Sequence, residues 1–183
     1  MDIADEERAA LRRLIAKGSI RDVLYRYCRA IDRCDERLLE TVFHPDAIES
    51  HGGLHEGPAL EFCRLAIAYV RKMATVSHYI TNIMIDIDGD VAWTESYGLA
   101  LHRIIDDGGG AFDSIFAARL LDRFESRDGQ WRISARRVVY DWNRDSDVRE
   151  TWGRGFFEGQ PQTGSMDRCD PSYTVLAKAR FIG

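Results

Sequence analysis

The residues able to do chemistry gather in a few places. His78 opens the stretch His78-Tyr79-Ile80-Thr81-Asn82-Ile83-Met84-Ile85-Asp86-Ile87, at the mouth of an apolar strand. An imidazole titrates ordinarily near pH ~6.5, which suits proton transfer at neutral pH. Asp32 closes a segment whose Ile20, Val23, Leu24, Tyr27, Cys28 and Ile31 follow the i, i+3, i+4 spacing of one helix face. It lies at the edge of that face, in the last turn. An exposed carboxylate there meets the negative end of the helix dipole, at a cost of roughly a few tenths of a kcal/mol. Asp32 is therefore a solvated helix-end residue, a cap for the turn Arg33-Cys34-Asp35, or a carboxylate aimed at His78. For His78 the plainer reading is a satisfied structural histidine. Glu49, His51, His55 and Glu56 are metal-ligand types, but His-x-x-x-His presents both rings together only on a helix. Gly52-Gly53 argues against a helix, and so against a metal site.

The elements that must position these groups follow from periodicity and breakers. Residues 5–17 read as a helix with Leu11, Leu14 and Ile15 on one side, interrupted at Gly18; Ser19, with Asp22 three later, reads as the N-cap of a second helix ending at Asp32. A short helix spans Asp35 to Val42, and Ala47 to Ser50 reads as a strand. His51 to Pro58 is a loop, and Pro58 takes the first position of a helix running to Met73 with Leu60, Cys63, Ile67 and Val70 on one face. Apolar residues at 83, 85 and 87 alternate as in a half-buried strand, and Asp88-Gly89 supplies a hairpin turn. Strands follow over Val91–Arg103, Ala111–Glu125 and Trp131–Trp142. Val91, Trp93, Glu95, Tyr97 and Leu99 share one face of the first, with Trp93 and Tyr97 expected as lumen wall or core. Gly108-Gly109-Gly110 sits in no phosphate-binding pattern and reads as a turn. Helices followed by a long antiparallel meander make an α+β fold. Three helices cannot cover both faces of such a sheet. The expected solution is a sheet curled into a half-open cone, an α+β barrel of cystatin-like kind, with the N-terminal helices closing its mouth. Residues 1–142 form that cone domain. The tail, 143–183, packs on its own or a neighbouring subunit, with Asp170-Pro171-Ser172-Tyr173 as a turn and Val175–Ile182 as helix or strand.

Bulk properties narrow the function classes. The chain has 183 residues, is 45% hydrophobic and 30% charged, and carries a net charge of −5. That is one domain with a sizeable core. No basic stripe is present, so nucleic acid is a poor partner. No apolar run approaches the roughly 20 residues of a membrane span. The acidic N-terminus lacks the apolar segment of a secretory signal, so a cytoplasmic location is expected. Cys28, Cys34, Cys63 and Cys169 form no CxxC pair and read as reduced thiols, mostly small core hydrophobes.

Four motifs in order carry a resemblance: Val23-Leu24-Tyr25-Arg26-Tyr27-Cys28-Arg29-Ala30-Ile31-Asp32 with Phe43-His44-Pro45-Asp46-Ala47; His78-Tyr79-x-Thr81-Asn82; Trp131-Arg132-Ile133 with Arg136 five beyond the tryptophan; and Tyr140-Asp141-Trp142. Over about residues 7–142 the chain resembles the SnoaL-like branch of the nuclear-transport-factor-2-like superfamily. Hexachlorocyclohexane dehydrochlorinases, bile-acid 7α-dehydratases and scytalone dehydratases belong to it. The resemblance implies an Asp–His pair, which falls on Asp32 and His78, working without metal or organic cofactor. It places the dehydrochlorinase arginine on Arg136 and the dehydrochlorinase lysine on Tyr27. That departure disfavours dechlorination and is instead like the bile-acid enzyme. It implies a cofactor-independent lyase of dehydratase type, or an isomerase, acting on a small hydrophobic, cyclic molecule. In that chemistry His78 takes a proton, Asp32 fixes its tautomer, Tyr27 donates a hydrogen bond and Arg136 holds developing negative charge. Only one of Arg136 and Arg137 can face the lumen, because strand side chains alternate. His102 is a further lumen candidate. A non-catalytic ligand-binding module and a structural subunit, like the β subunit of ring-hydroxylating dioxygenases, remain alternatives of the same fold. The apolar outer face of the meander predicts a homo-oligomer, dimer or trimer.

Overall fold

The computed structural model describes residues 3–159 and 161–176. One continuous helix, α1 (Ile3–Asp32), replaces the two expected ones. Gly18 does not break it, since a single glycine costs a helix only about 1 kcal/mol and leaves every hydrogen bond possible. Ser19 is no cap: its hydroxyl donates to the Ile15 carbonyl at 3.1 Å, one turn back inside the helix. From Ile20 on, the face holding Val23, Leu24, Tyr27 and Ile31 is buried, whereas Leu11, Leu14 and Ile15 are exposed. A turn at Cys34 leads to α2 (Glu36–Leu39), capped by the Asp35 carboxylate on the Leu38 amide.

Strand β1 (Phe43–His51) is longer than its apolar centre suggests, and a tight turn returns it to β2 (Glu56–Pro58). Pro58 is the N-cap of α3 (Ala59–Val70), not its first helical residue, and the helix stops one turn short of Met73. Four long strands complete the sheet: β3 (Thr75–Asp88), β4 (Val91–Ile105), β5 (Ala111–Arg127) and β6 (Gln130–Asp147). Each exceeds the length its alternating core implied. In β3 the register with β4 shifts between Ile80 and Ile83, which is why the period of two is visible only from Ile83. Further shifts in β5–β6 at Ala117/Ala118 and Arg123/Phe124 add bend to the sheet. Gly89, at φ +57°, makes the two-residue hairpin turn between β3 and β4.

The six strands run in the order β2-β1-β6-β5-β4-β3, with β1 and β6 parallel and the other pairs antiparallel. The result is a curved, unclosed, mixed sheet with α1 and α3 inside its concavity. Tight helix packing needs small inward residues, so Ala92, Ser96, Gly98 and Ala100 of β4 face in. A Cβ on Gly98 would stand 3.1 Å from Leu120. Trp93 and Tyr97 consequently face out on the convex side and are not lumen wall or core.

β6 continues to Asp147, past the expected strand end at Trp142. The tail carries a 3-10 turn (Gly155–Phe157) and α4 (Pro171–Leu176) and folds back on its own chain. Arg29 donates to the Ser172 hydroxyl at 2.9 Å, Tyr173 donates to Asp35 at 2.9 Å, and Arg33 stands 3.4 Å from Asp170. The element expected over Val175–Ile182 begins in α4; residues 177–182 lie outside the described residues. No helix of the described residues is long and apolar enough to cross a membrane.

Candidate active site

Between α1, α3 and the concave sheet lies a cavity of about 900 Å³. Its wall is largely apolar, with Phe62, Val70 and Leu120 among the lining. Among its polar groups, from separate elements, are Tyr27 of α1, His51 of β1, His78 of β3, His102 of β4 and Tyr140 of β6.

Asp32 ends α1 where the helix meets β3. One carboxylate oxygen accepts from His78 Nδ1 at 2.7 Å, and both oxygens accept from the His78 backbone N–H at 3.1 Å. The carboxylate therefore fixes the ring and the strand that carries it. Two acceptor oxygens on one ring nitrogen and one amide require Nδ1 to hold a hydrogen, which leaves Nε2 free to take a proton. Both side chains are mostly shielded, with 15% exposure for Asp32 and 20% for His78, and His78 lines the cavity while Asp32 stands behind it.

Tyr27 lies on the same wall one helical turn earlier. Burial, with the charge of Glu49 adding to it, pushes its phenol well above its ordinary pKa, so the hydroxyl stays protonated and available as a donor. Of the two arginines, Arg136 points inward and Arg137 is exposed. Arg136 nevertheless does not reach the cavity. Its guanidinium donates to both oxygens of Asp122, at 2.7 and 2.8 Å, and lies 4.1 Å from the centre of the Tyr27 ring. Burial opposes its charge, but Asp122 overrides this and holds the guanidinium above its ordinary pKa. The register explains the arrangement: Arg136 pairs with Asp122 on β5 and with Glu49 on β1. The expected direct contact of Arg136 with substrate is thus replaced by a buried layer behind Tyr27.

His102 joins His78, ring centres 5.3 Å apart. Burial, and secondarily the nearby His78, lowers its pKa from 6.5 to about 4, so it is a neutral imidazole at pH 7. Its Nε2 has no protein partner.

Glu49 and His51, read from sequence only as metal-ligand types, form a pair that the sequence reading missed. His51 Nδ1 stands 2.6 Å from Glu49 Oε1, and Glu49 is fully buried. The signal was present: residues two apart on a strand share a face. His51 also stacks on Phe62, ring centres 4.0 Å apart. Among the described residues, no group of three or more His, Cys, Asp or Glu converges as a metal site would require.

The SnoaL-like domain family matches residues 12–137. Among solved structures, a hexachlorocyclohexane dehydrochlorinase (LinA, type 2) superposes with a TM-score of 0.69 at 20% identity, covering 78% of this chain and 96% of its own. A Novosphingobium aromaticivorans protein named "Putative Scytalone Dehydratase" gives a TM-score of 0.64 at 23% identity, covering 75% and 91%. A Mycobacterium tuberculosis protein of unknown function gives 0.53 at 28% identity, covering 77% of each chain. No curated protein matches the chain. The family match spans the helix that ends in Asp32, the strand that begins near His78 and the strand that carries Arg136, and on it the chain belongs to the SnoaL-like domain family.

Proposed function

We propose that the cavity is the active site of a cofactor-independent lyase of dehydratase type, or an isomerase, acting on a small, hydrophobic, cyclic substrate. One observation carries this reading: a carboxylate and an imidazole 2.7 Å apart at the wall of an apolar cavity of about 900 Å³. His78 Nε2 takes a proton from carbon beside a carbonyl. Asp32 holds the tautomer and stabilises the imidazolium as it forms. Tyr27 donates to the carbonyl oxygen as charge builds there, and Arg136 behind its ring polarises that phenol. The enolate then expels the β-hydroxyl, which leaves as water with the proton His78 took, giving dehydration, or that proton returns to carbon elsewhere, giving isomerisation. The apolar wall excludes water and strengthens each polar contact. The likeness to proteins named as a dehydrochlorinase and a scytalone dehydratase supports proton abstraction followed by elimination. Tyr27 favours a hydroxyl over a chloride as leaving group.

The test is incubation with a panel of cyclic β-hydroxy ketones in D2O, following deuterium at the α-carbon and dehydrated product by mass spectrometry. The wild type exchanges or dehydrates members of the panel. His78→Ala loses about 10²–10⁴ of that rate, the usual worth of a positioned general base. A wild type that neither exchanges nor dehydrates any member, or a His78→Ala variant of equal rate, overturns the reading.

A further inference from the structure

Asp32 is the last residue of α1, and the final turn of a helix frays unless something holds it. This end is also strained. The Cys34 amide donates to the Ile31 carbonyl at 3.1 Å, and the Asp35 amide donates to the Ala30 carbonyl at 2.8 Å. That pair of bonds needs a left-handed residue at the turn, the place glycine usually takes. Cys34 fills it instead, at φ +50°. The turn that places the carboxylate therefore needs support from outside the helix.

The tail supplies it, at three side chains around Asp32. Arg29 donates to the Ser172 hydroxyl at 2.9 Å, and that hydroxyl donates in turn to Asp170. Arg33 stands 3.4 Å from the same Asp170. Arg29 and Arg33 lie one helical turn apart, so a single piece of tail ties both. Asp170 is buried and closes its own loop by accepting from the Ser165 and Ser172 amides, each at 3.0 Å. Tyr173 donates to one oxygen of Asp35 at 2.9 Å, while the other oxygen caps α2 through the Leu38 amide at 3.2 Å. These contacts fall on both sides of Asp32 in the chain. On its far side stands β3, the edge strand of the sheet, whose His78 amide donates to both Asp32 oxygens at 3.1 Å. Asp170, Ser172 and Tyr173 do not line the cavity, so any effect they have on it passes through the end of α1.

We propose that Asp170, Ser172 and Tyr173 are positioning residues: the tail clamps the end of α1 and thereby sets where Asp32 meets His78. The clamp's consequence for turnover rests on this pair being the catalytic dyad, whereas the clamp itself can be read without any substrate.

The His78 amide is the reporter, because its hydrogen-bond partner is the Asp32 carboxylate. Hydrogen exchange is followed by NMR on the full chain, comparing the wild type with Ser172→Ala and Tyr173→Phe. Trp152→Ala serves as a control within the tail, since Trp152 packs on Phe157. The expected result is a His78 amide that exchanges about tenfold faster in both clamp variants, the worth of one hydrogen bond to a carboxylate. Amides of the β4–β5 pair around Ser96 and Leu120 keep their rates, and Trp152→Ala leaves His78 unchanged. On the β-hydroxy ketone panel the clamp variants lose kcat and keep KM. Tyr173→Phe removes a single hydroxyl and carries the test alone if Ser172→Ala does not fold. A His78 amide that exchanges as in the wild type overturns the inference, and so does equal acceleration throughout the sheet, the mark of a merely structural brace. Exchange at His78 governed by the tail in a protein that turns over no ketone would support the clamp and remove the proposed function. Turnover that depends on His78 but not on the tail would do the reverse.

Discussion

At the scale of residues, the site is a set of imidazoles tuned by different neighbours. His78 is held by a carboxylate, whereas His102 is desolvated beside it with an unpartnered Nε2. That difference has a measurable consequence. The pKa of His102 falls from 6.5 to about 4 in the folded protein, so the unfolded chain binds the proton first as pH drops. Stability from this group is fully present above pH 6.5 and is lost as pH falls from 6.5 toward 4. The full shift would be worth about 3 kcal/mol, and partial exposure reduces it to about 1–2. The expected outcome is that His102→Asn shows a shallower fall in thermal midpoint than the wild type between those pH values, by differential scanning fluorimetry. Parallel curves would show that His102 is not desolvated in the folded state. Asp32→Asn tests the other imidazole: keeping the shape while removing the charge should lower kcat on any substrate of the panel by about 10²–10⁴, measured by steady-state kinetics. The pairing of Asp32 with His78 was readable as a resemblance, since both positions fall on motif residues. That only one of Arg136 and Arg137 turns inward followed from alternation, but which one, and how deep it lies, did not. That depth depends on the Asp122 of β5 lying opposite it, and register across separate strands is a tertiary outcome.

At the scale of elements, two glycines show how local geometry serves the site. Gly18 lies inside α1, and a Cβ there would meet nothing within 4 Å. Gly18→Ala should therefore stabilise the protein by about 0.5–1 kcal/mol, seen as a higher urea midpoint with unchanged slope. Gly52 is the opposite case. Its φ is +54°, and a Cβ would stand 2.5 Å from the Tyr140 ring. Gly52→Ala should cost about 1–3 kcal/mol in the same urea experiment. It should also disturb His51 next to it, so a Gly52→Ala protein as stable as the wild type would mean that the β1–β2 turn is free to move. The sequence marked both glycines as breakers, and only one breaks anything. A helix bridges a glycine when enough buried face lies beyond it, as Ile20 to Ile31 provide, and local composition does not record that face's burial. The long strands were under-read for a related reason. Their ends leave the core, so their side chains lose the apolar alternation that betrays a strand while the backbone ladder continues, as β6 does from Trp142 to Asp147.

At the scale of the whole molecule, the sheet has two faces with different fates. The concave face is closed by α1 and α3 and holds the cavity. The convex face exposes Trp93, Tyr97, Leu99 and Leu101 along β4, and Met84 on β3. Beside them, Arg119 bridges Glu95 at 3.4 Å and Asp141 at 3.2 Å. An apolar stripe flanked by charged pairs is the composition of a protein interface, with a dry centre and a polar rim. Scattered apolar side chains on a monomer need no explanation, but Tyr97, Leu99 and Leu101 in succession on one face of one strand do. Across a twofold axis the same strand of a second copy offers the same stripe, so the row can pair with itself. Self-association through this face is therefore expected, with Tyr97 near its centre. Tyr97→Glu would place a carboxylate in that centre without touching the cavity, and should shift the mass in multi-angle light scattering from an oligomer to about the 20.9 kDa of one chain. Turnover of the cyclic β-hydroxy ketone panel by the dissociated variant should stay within a few-fold of the wild type, because the cavity lies within one chain and Tyr97 is not among its lining residues. A wild type of single-chain mass would remove the interface, and an oligomer untouched by Tyr97→Glu would move it to another surface, with exposed Leu11, Leu14 and Ile15 of α1 the next to substitute.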